Sequence, residues 1–140
     1  MTVSIPLNNV ERHAAELVDL LVDAGPLTAD QVCAALGWSK GRFTAALKHA
    51  REAVCPALGF AIPTATPARG WVYAVTADWA DVEVGASFSI GQAEARLKGV
   101  LRDVQTVKDQ LTRGSREWRR ANFLNKHLTH ILSTLEEIDG

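Results

Sequence analysis

Between Gln31 and Arg51 the chain carries four cations, Lys40, Arg42, Lys48 and Arg51, and no acid. At about 100° per residue, Gly41, Ala45 and Lys48 point to the side of a helix opposite Phe43. Thr44 and Arg51 flank that side on one edge, Arg42 and His49 on the other, and Lys40 sits in the first turn. Gly41 and Ala45 have almost no side chain, so the backbone there can closely approach a partner. The chemistry this pattern suits is contact with a polyanion. Lysine and arginine reach phosphates, which position a helix, and base edges, which specify a sequence. The plainer alternatives are a solvated helix face, which ordinarily carries charge, and a module that binds protein.

The stretch Leu27 to Val54, LTADQVCAALGWSKGRFTAALKHAREAV, must position these residues. Thr28 is a capping residue with Gln31 three positions on, the spacing of a capping box. Val32, Ala35 and Leu36 then fall on one face of a short helix. Gly37 tolerates the left-handed conformation that ends many helices. Trp38 is expected to plug the corner, and Ser39 to cap the second helix. Phe43, Leu47, Ala50 and Val54, with Ala46 beside them, form the buried stripe of that helix.

At 140 residues the chain is one domain, or one domain with an extension. Its formal net charge of −1 argues against a non-specific, histone-like binder, which would be strongly basic. Charge is local instead: residues 1–77 hold six cations and six acids, but the cations gather in the basic helix. Glu11, Glu16, Asp19 and Asp23 lie on the first expected helix. No apolar run is long enough to span a membrane. The opening MTVSIPLNNV lacks the basic-then-apolar order of a signal peptide. The two cysteines, Cys33 and Cys55, read as cytosolic free thiols. Cys55, just past Arg51, is the better of two weak candidates for a redox-sensitive thiol. A cytoplasmic, nucleoid-associated location fits these features.

Other chemistry is poorly supported. His127 and His130 stand three apart, but no third ligand is well placed, so no metal and no cofactor are expected. No glycine loop for phosphate and no Cys-His or Ser-His-Asp arrangement argues for an enzyme. Arg113, Arg116, Arg119 and Arg120 form a second basic cluster, read as a solvated helix corner.

Along the chain, Asn8 or Asn9 caps an opening helix from about Val10 to Ala24, ended by Gly25-Pro26. Its stripe is Val10, Ala14, Leu17, Val18 and Leu21. After Val54, Phe60-Ala61-Ile62 reads as a short strand, residues 63–70 as a turn, and Trp71 to Val75 as the best strand by alternation. The two strands make a small hairpin. The helix-turn-helix LTADQVCAALGWSKGRFTAALKHA followed by GFAIPTATPARGWVYAV resembles the winged helix-turn-helix DNA-binding domains of bacterial and phage transcriptional regulators. The likeness covers roughly residues 8–77. It implies that the second helix of the motif enters the major groove and that the hairpin, or wing, touches adjacent backbone or minor groove. Carried over by position, Ser39, Lys40, Gly41, Arg42, Thr44, Lys48 and Arg51 belong to the groove-facing helix, and Thr66 and Arg69, with Thr64, to the wing tip. The wing departs from a strongly basic pattern, with a single cation and two prolines.

Residues 78–89 read as an ordered acidic connector in which Trp79 and Val82 pack back. Residues 90–140 read as helical. Ile90, Ala93, Leu97, Val100, Val104, Val107 and Leu111 follow a heptad spacing, widened by Leu101. Ser115 caps a second helix with Trp118, Ala121, Leu124, Leu128, Ile131, Leu135 and Ile138. An antiparallel hairpin is the simplest arrangement, and one long helix through Gly114 is the alternative. A lone hairpin has too thin a core, so a symmetric dimer is expected. Leu97, Val100, Val104, Val107, Leu111, Leu124, Leu128, Ile131 and Leu135 are its candidate contacts. This element order is similar to MarR-type and PadR-type regulators.

The expectation is a mainly α protein with a small β-hairpin, a winged helix-turn-helix over 1–77 and a C-terminal helical dimerisation region over 90–140. The expected function is sequence-specific binding of double-stranded DNA by a homodimeric repressor. The alternative is a protein-interaction or architectural factor in phage or plasmid replication, segregation or recombination, partnered through the C-terminal helices.

Overall fold

The computed structural model describes residues 8–139. The N-terminal segment weighed above as a signal peptide falls mostly outside them. The protein is mainly helical with one small two-stranded antiparallel sheet. It divides into two compact units, one ending at Ala86 and the other beginning at Ser87. Among the described residues, no helix is long and apolar enough to cross a membrane.

In the first unit, α1 (Asn9–Ala24) begins at a capping box in which Asn8 and Glu11 bond each other's backbone amides. Gly25, with φ of 79°, ends it and donates to the Leu21 carbonyl. Ala14, Leu17, Val18 and Leu21 are buried, as the 3.6-residue spacing requires. β1 (Leu27–Thr28) leads into α2 (Ala29–Leu36), and α3 (Lys40–His49) follows after three residues. The core gathers α1, α2 and α3 around Leu17, Val32, Trp38, Phe43 and Leu47. Full burial of a side chain such as Leu17 contributes about 1.5–3 kcal/mol.

The helical path runs on past Val54 and closes over Cys55–Gly59, as the Cys55-Pro56-Ala57-Leu58-Gly59 stretch leads one to expect. Over Ala50–Val54 it opens to a π-helical turn, in which the Cys55 amide bonds the Ala50 carbonyl. It then closes as α4 (Cys55–Leu58), capped by left-handed Gly59. The expected hairpin is also reorganised. β2 (Val72–Tyr73) pairs with β1, in register Leu27 to Tyr73 and Thr28 to Val72. The Phe60–Ile62 strand is reduced to one bridge, Ala61 to Thr76. Pro63 and Pro67 lack amide donors, so that arm cannot extend the ladder.

The expected connector is part of a helix: α5 (Trp79–Lys108) begins eleven residues before Ile90. Trp79 is 68% exposed and does not pack back, whereas Val82 is half-buried. The division between the units falls within α5.

In the second unit, α5 ends at Lys108, and Gly114, with φ of 86°, lies in the turn before α6 (Arg116–Asp139). Ser115 caps α6 through the Trp118 amide. The hairpin forms, and the single long helix does not. Lys108 stacks over Trp118, and Asp103, Val104 and Val107 share a groove with Arg120, Ala121 and Leu124. Among the heptad positions, Leu97, Val104, Leu111, Leu124, Leu128 and Leu135 are half-buried. Val100, Val107 and Ile131 are exposed. Leu132, outside the expected stripe, is the most buried side chain on α6.

Candidate nucleic-acid interface

The face of α3 is set by caps at both ends of the turn before it. Thr28 and Gln31 form the reciprocal capping box of α2. Gly37 adopts φ of 69° and donates to the Cys33 carbonyl. Trp38 is buried against α1, edge-on to His13 at 5.3 Å between ring centres. Ser39 accepts from the Arg42 amide and so starts α3. Phe43, Ala46 and Leu47 then face the core.

The opposite side is exposed from Lys40 through Gly41, Arg42, Thr44, Ala45 and Lys48. Lys40, Arg42 and Lys48 make no ion pair among the described residues. The Thr44 hydroxyl donates to the Lys40 carbonyl, leaving its lone pairs to accept. A Cβ placed on Gly41 would meet nothing nearer than the Ser39 hydroxyl at 4.0 Å, so the backbone there is bare. An open depression of about 490 Å³ runs from this face to the loop before β2, with Lys40, Thr44, Asp30 and Trp71 among its walls.

Three expected contact residues are placed differently. Arg51 turns inward: its Nε donates to the Ile62 carbonyl at 2.8 Å and a terminal nitrogen to Pro63 at 3.1 Å. Its guanidinium lies 5.7 Å from the centre of the Tyr73 ring. On a helical wheel Arg51 is only about 80° from buried Phe43, at the edge of the apolar face. Burial lowers its pKa from the ordinary arginine value. Thr66 is not at a solvent-facing tip but 4% exposed, and its hydroxyl has no hydrogen-bond partner among the described residues. Arg69, in a 3₁₀ turn at Pro67–Arg69, is paired with Asp81. Asp81 also accepts from the Thr76 hydroxyl, and these two bonds, Thr76 first, lower its pKa from the ordinary carboxylate value.

The sequence reading missed Trp71 as a surface residue. It follows left-handed Gly70, has φ of 60° itself, and is 53% exposed. Its amide bonds the Thr66 carbonyl at 2.8 Å, which holds the tight turn. The signal was an aromatic placed directly after a turn glycine, a position that strand alternation hides. Cys55 is 1% exposed and burial raises its pKa, which disfavours the reactive thiolate form. Cys33 is half-buried, as expected. His127 lies tilted against Phe123, with the ring centres 4.1 Å apart. Among the described residues, no group of three or more His, Cys, Asp or Glu is placed to hold a metal.

Comparison with protein-family models, with curated proteins and with solved structures finds no match.

Proposed function

We propose that this protein binds double-stranded DNA in a sequence-specific way through α3, as a homodimeric transcriptional repressor with a winged helix-turn-helix. The observation that carries this reading is the exposed face of α3. Over three turns it presents Lys40, Gly41, Arg42, Thr44, Ala45 and Lys48, without an acid and with no cation in an ion pair among the described residues. The capped turn before it gives that face a rigid base, which base-edge contacts need. The order of three helices and a small sheet, with β1 between α1 and α2, supports the winged reading.

The wing takes a different role from the one expected of it. Arg69 faces Asp81, so the loop brings Trp71 to the interface and little charge. In this arrangement Arg42 and Lys48 contact base edges or phosphates, Lys40 contacts phosphate beside the cap, and Trp71 lies against the sugar-phosphate backbone. The helical hairpin supplies the dimer through exposed Val100, Val107 and Ile131. Two α3 helices then enter successive major grooves about one helical turn apart.

The decisive experiment is capture of genomic DNA fragments over a salt series, with the Arg42→Ala, Lys48→Ala double variant alongside. Specific enrichment that falls steeply with salt and disappears in the variant is the expected result. Equal enrichment by the variant removes α3 from the interface. The engagement of Arg69 by Asp81 favours a second reading, a protein-interaction module. No enrichment at moderate salt selects it.

A further inference from the structure

The cations of this chain sort into two kinds. Arg12, Arg69, Lys98 and Arg102 each lie beside a carboxylate. Arg51 is held by carbonyl groups. Apart from Arg96, the rest fall in two places: three on α3, and six between Lys108 and Lys126. The second stretch contains six cations and two acids, Asp109 and Glu117, a local charge of +4 in a chain whose total is −1. The remainder of the chain is therefore −1 − (+4) = −5. The positive field at this end of the hairpin is a local feature.

On α6, at about 100° per residue, Arg116, Arg119, Arg120, Phe123, Lys126 and His130 fall within a single arc, whose one edge, Arg116 and Arg120, borders the groove shared with α5. All six are exposed. The stripe runs about 21 Å at 1.5 Å per residue. Glu117, the only acid between Arg116 and His130, lies at the edge of the stripe and lines the groove shared with α5 together with Arg116 and Arg120. Phe123, 51% exposed, sits mid-stripe with the Arg120 guanidinium 5.8 Å from its ring centre and the His127 ring centre at 4.1 Å. Lys108 and Arg113 both stack on Trp118, at 5.5 and 5.8 Å, which steadies the turn.

We infer that this outward face of α6 is a second nucleic-acid-binding surface, gripping the phosphate backbone of duplex DNA without reading its sequence. Arginines along a stripe with a single acid at its edge match the regular charge of a duplex, and each neutralised phosphate releases a counterion. The exposed aromatic among them suits apolar contact with a deoxyribose of the backbone. A lipid surface fits less well, because the stripe offers one apolar side chain and no buried apolar face for insertion. The inference goes beyond the α3 reading and does not depend on it.

The test uses the full chain and a labelled random-sequence duplex of about 30 base pairs, titrated over a salt series. Wild type is compared with Arg116→Gln, Arg119→Gln, Arg120→Gln and with an equal charge loss on α5, Arg96→Gln, Lys98→Gln, Arg102→Gln. The α6 triple variant is expected to lose at least about tenfold in affinity near 0.1 M salt, and to lower the slope of log affinity on log salt by about 2–3. The α5 control is expected to lose less than about threefold. Wild-type affinity in the α6 variant, or an equal loss in both triples, overturns the proposal. The Arg42→Ala, Lys48→Ala variant separates the two surfaces. Loss in it alone keeps the α3 reading and removes this one, whereas loss in the α6 variant alone does the reverse. Circular dichroism confirms that each variant remains helical.

Discussion

Arg51 stacks its guanidinium over the ring of Tyr73, 5.7 Å from the ring centre, while donating to two carbonyls of the loop beyond α4. One side chain thus joins the helix that carries the candidate interface to the strand and loop beside it. Replacing Arg51 by Met keeps much of its apolar stem but leaves the Ile62 and Pro63 carbonyls without a donor. Hydrogen bonds from a charged group and the cost of orphaned acceptors predict a loss of about 2 kcal/mol. For a unit of this size that is a fall in melting temperature of roughly 10 °C. DNA affinity of the folded protein is expected to stay within about threefold of wild type, because Arg51 faces inward. A variant of unchanged stability that no longer binds would return Arg51 to the interface.

Trp71 is the only non-glycine with positive φ among the described residues. An L-residue there carries a conformational cost of about 1 kcal/mol that glycine does not. Trp71→Gly is therefore expected to be more stable than Trp71→Ala by about that amount, against the usual order of these two residues. If the indole lies against DNA, both variants lose several-fold in affinity to a similar extent, because both lack it. Urea melts and binding titrations on the same two proteins separate strain from contact. Greater stability in the alanine variant would contradict the backbone geometry.

The caps were legible in the sequence because they are local. Asn8, Thr28, Ser39 and Ser115 each bond an amide three residues ahead, and Gly37 ends α2 by its own conformational freedom. The exposed set on α3 followed from the period of an uninterrupted helix. What failed was what depends on distant chain. The pairing of Leu27 with Tyr73 joins residues far apart in sequence, so the alternation of Trp71 to Val75 marked a strand but not its partner. Arg51 lies at the edge of the apolar face, where the wheel cannot decide between groove and loop. Thr66 and Arg69 were placed at a wing tip by the resemblance alone, which does not register that Asp81 waits on α5. Residues 79–89 looked like a connector because acids, serines and one glycine interrupt the apolar pattern, and that glycine, Gly85, packs closely against Pro63 and Thr64.

Asp81 gives the first unit a pH-sensitive tie. The Thr76 hydroxyl, then Arg69, hold its folded pKa below the ordinary value of 3.8. A carboxylate depressed in the folded state stabilises fully above its unfolded pKa and loses that contribution as pH falls through the folded value. The window therefore lies at and below 3.8. Asp81→Asn removes the titrating group. Urea melts are expected to show the variant less stable than wild type at about pH 6, with the difference narrowing at about pH 3. A difference that is constant with pH would mean that Asp81 acts by shape alone.

Two glycines of α5 should respond in opposite directions to the same substitution. A Cβ on Gly85 would stand 2.9 Å from the Pro63 Cβ and 3.0 Å from the Thr64 amide nitrogen, so backbone must move to admit it. A Cβ on Gly91 meets nothing within 4 Å. Alanine in a helix interior gains about 1 kcal/mol over glycine where there is room. Overpacking against fixed backbone typically costs about 1–3 kcal/mol. Gly91→Ala is thus expected to stabilise by roughly 1 kcal/mol. Gly85→Ala is expected to destabilise by about 1 kcal/mol net, since the clash exceeds the helical gain. Because the clash falls on Pro63 and Thr64, it also displaces the loop that receives Arg51. Combining Gly85→Ala with Arg51→Met should then cost less than the sum of the two, which a double-mutant cycle measures directly. Strict additivity would show that the α5 start and the Arg51 tie act on separate parts of the loop.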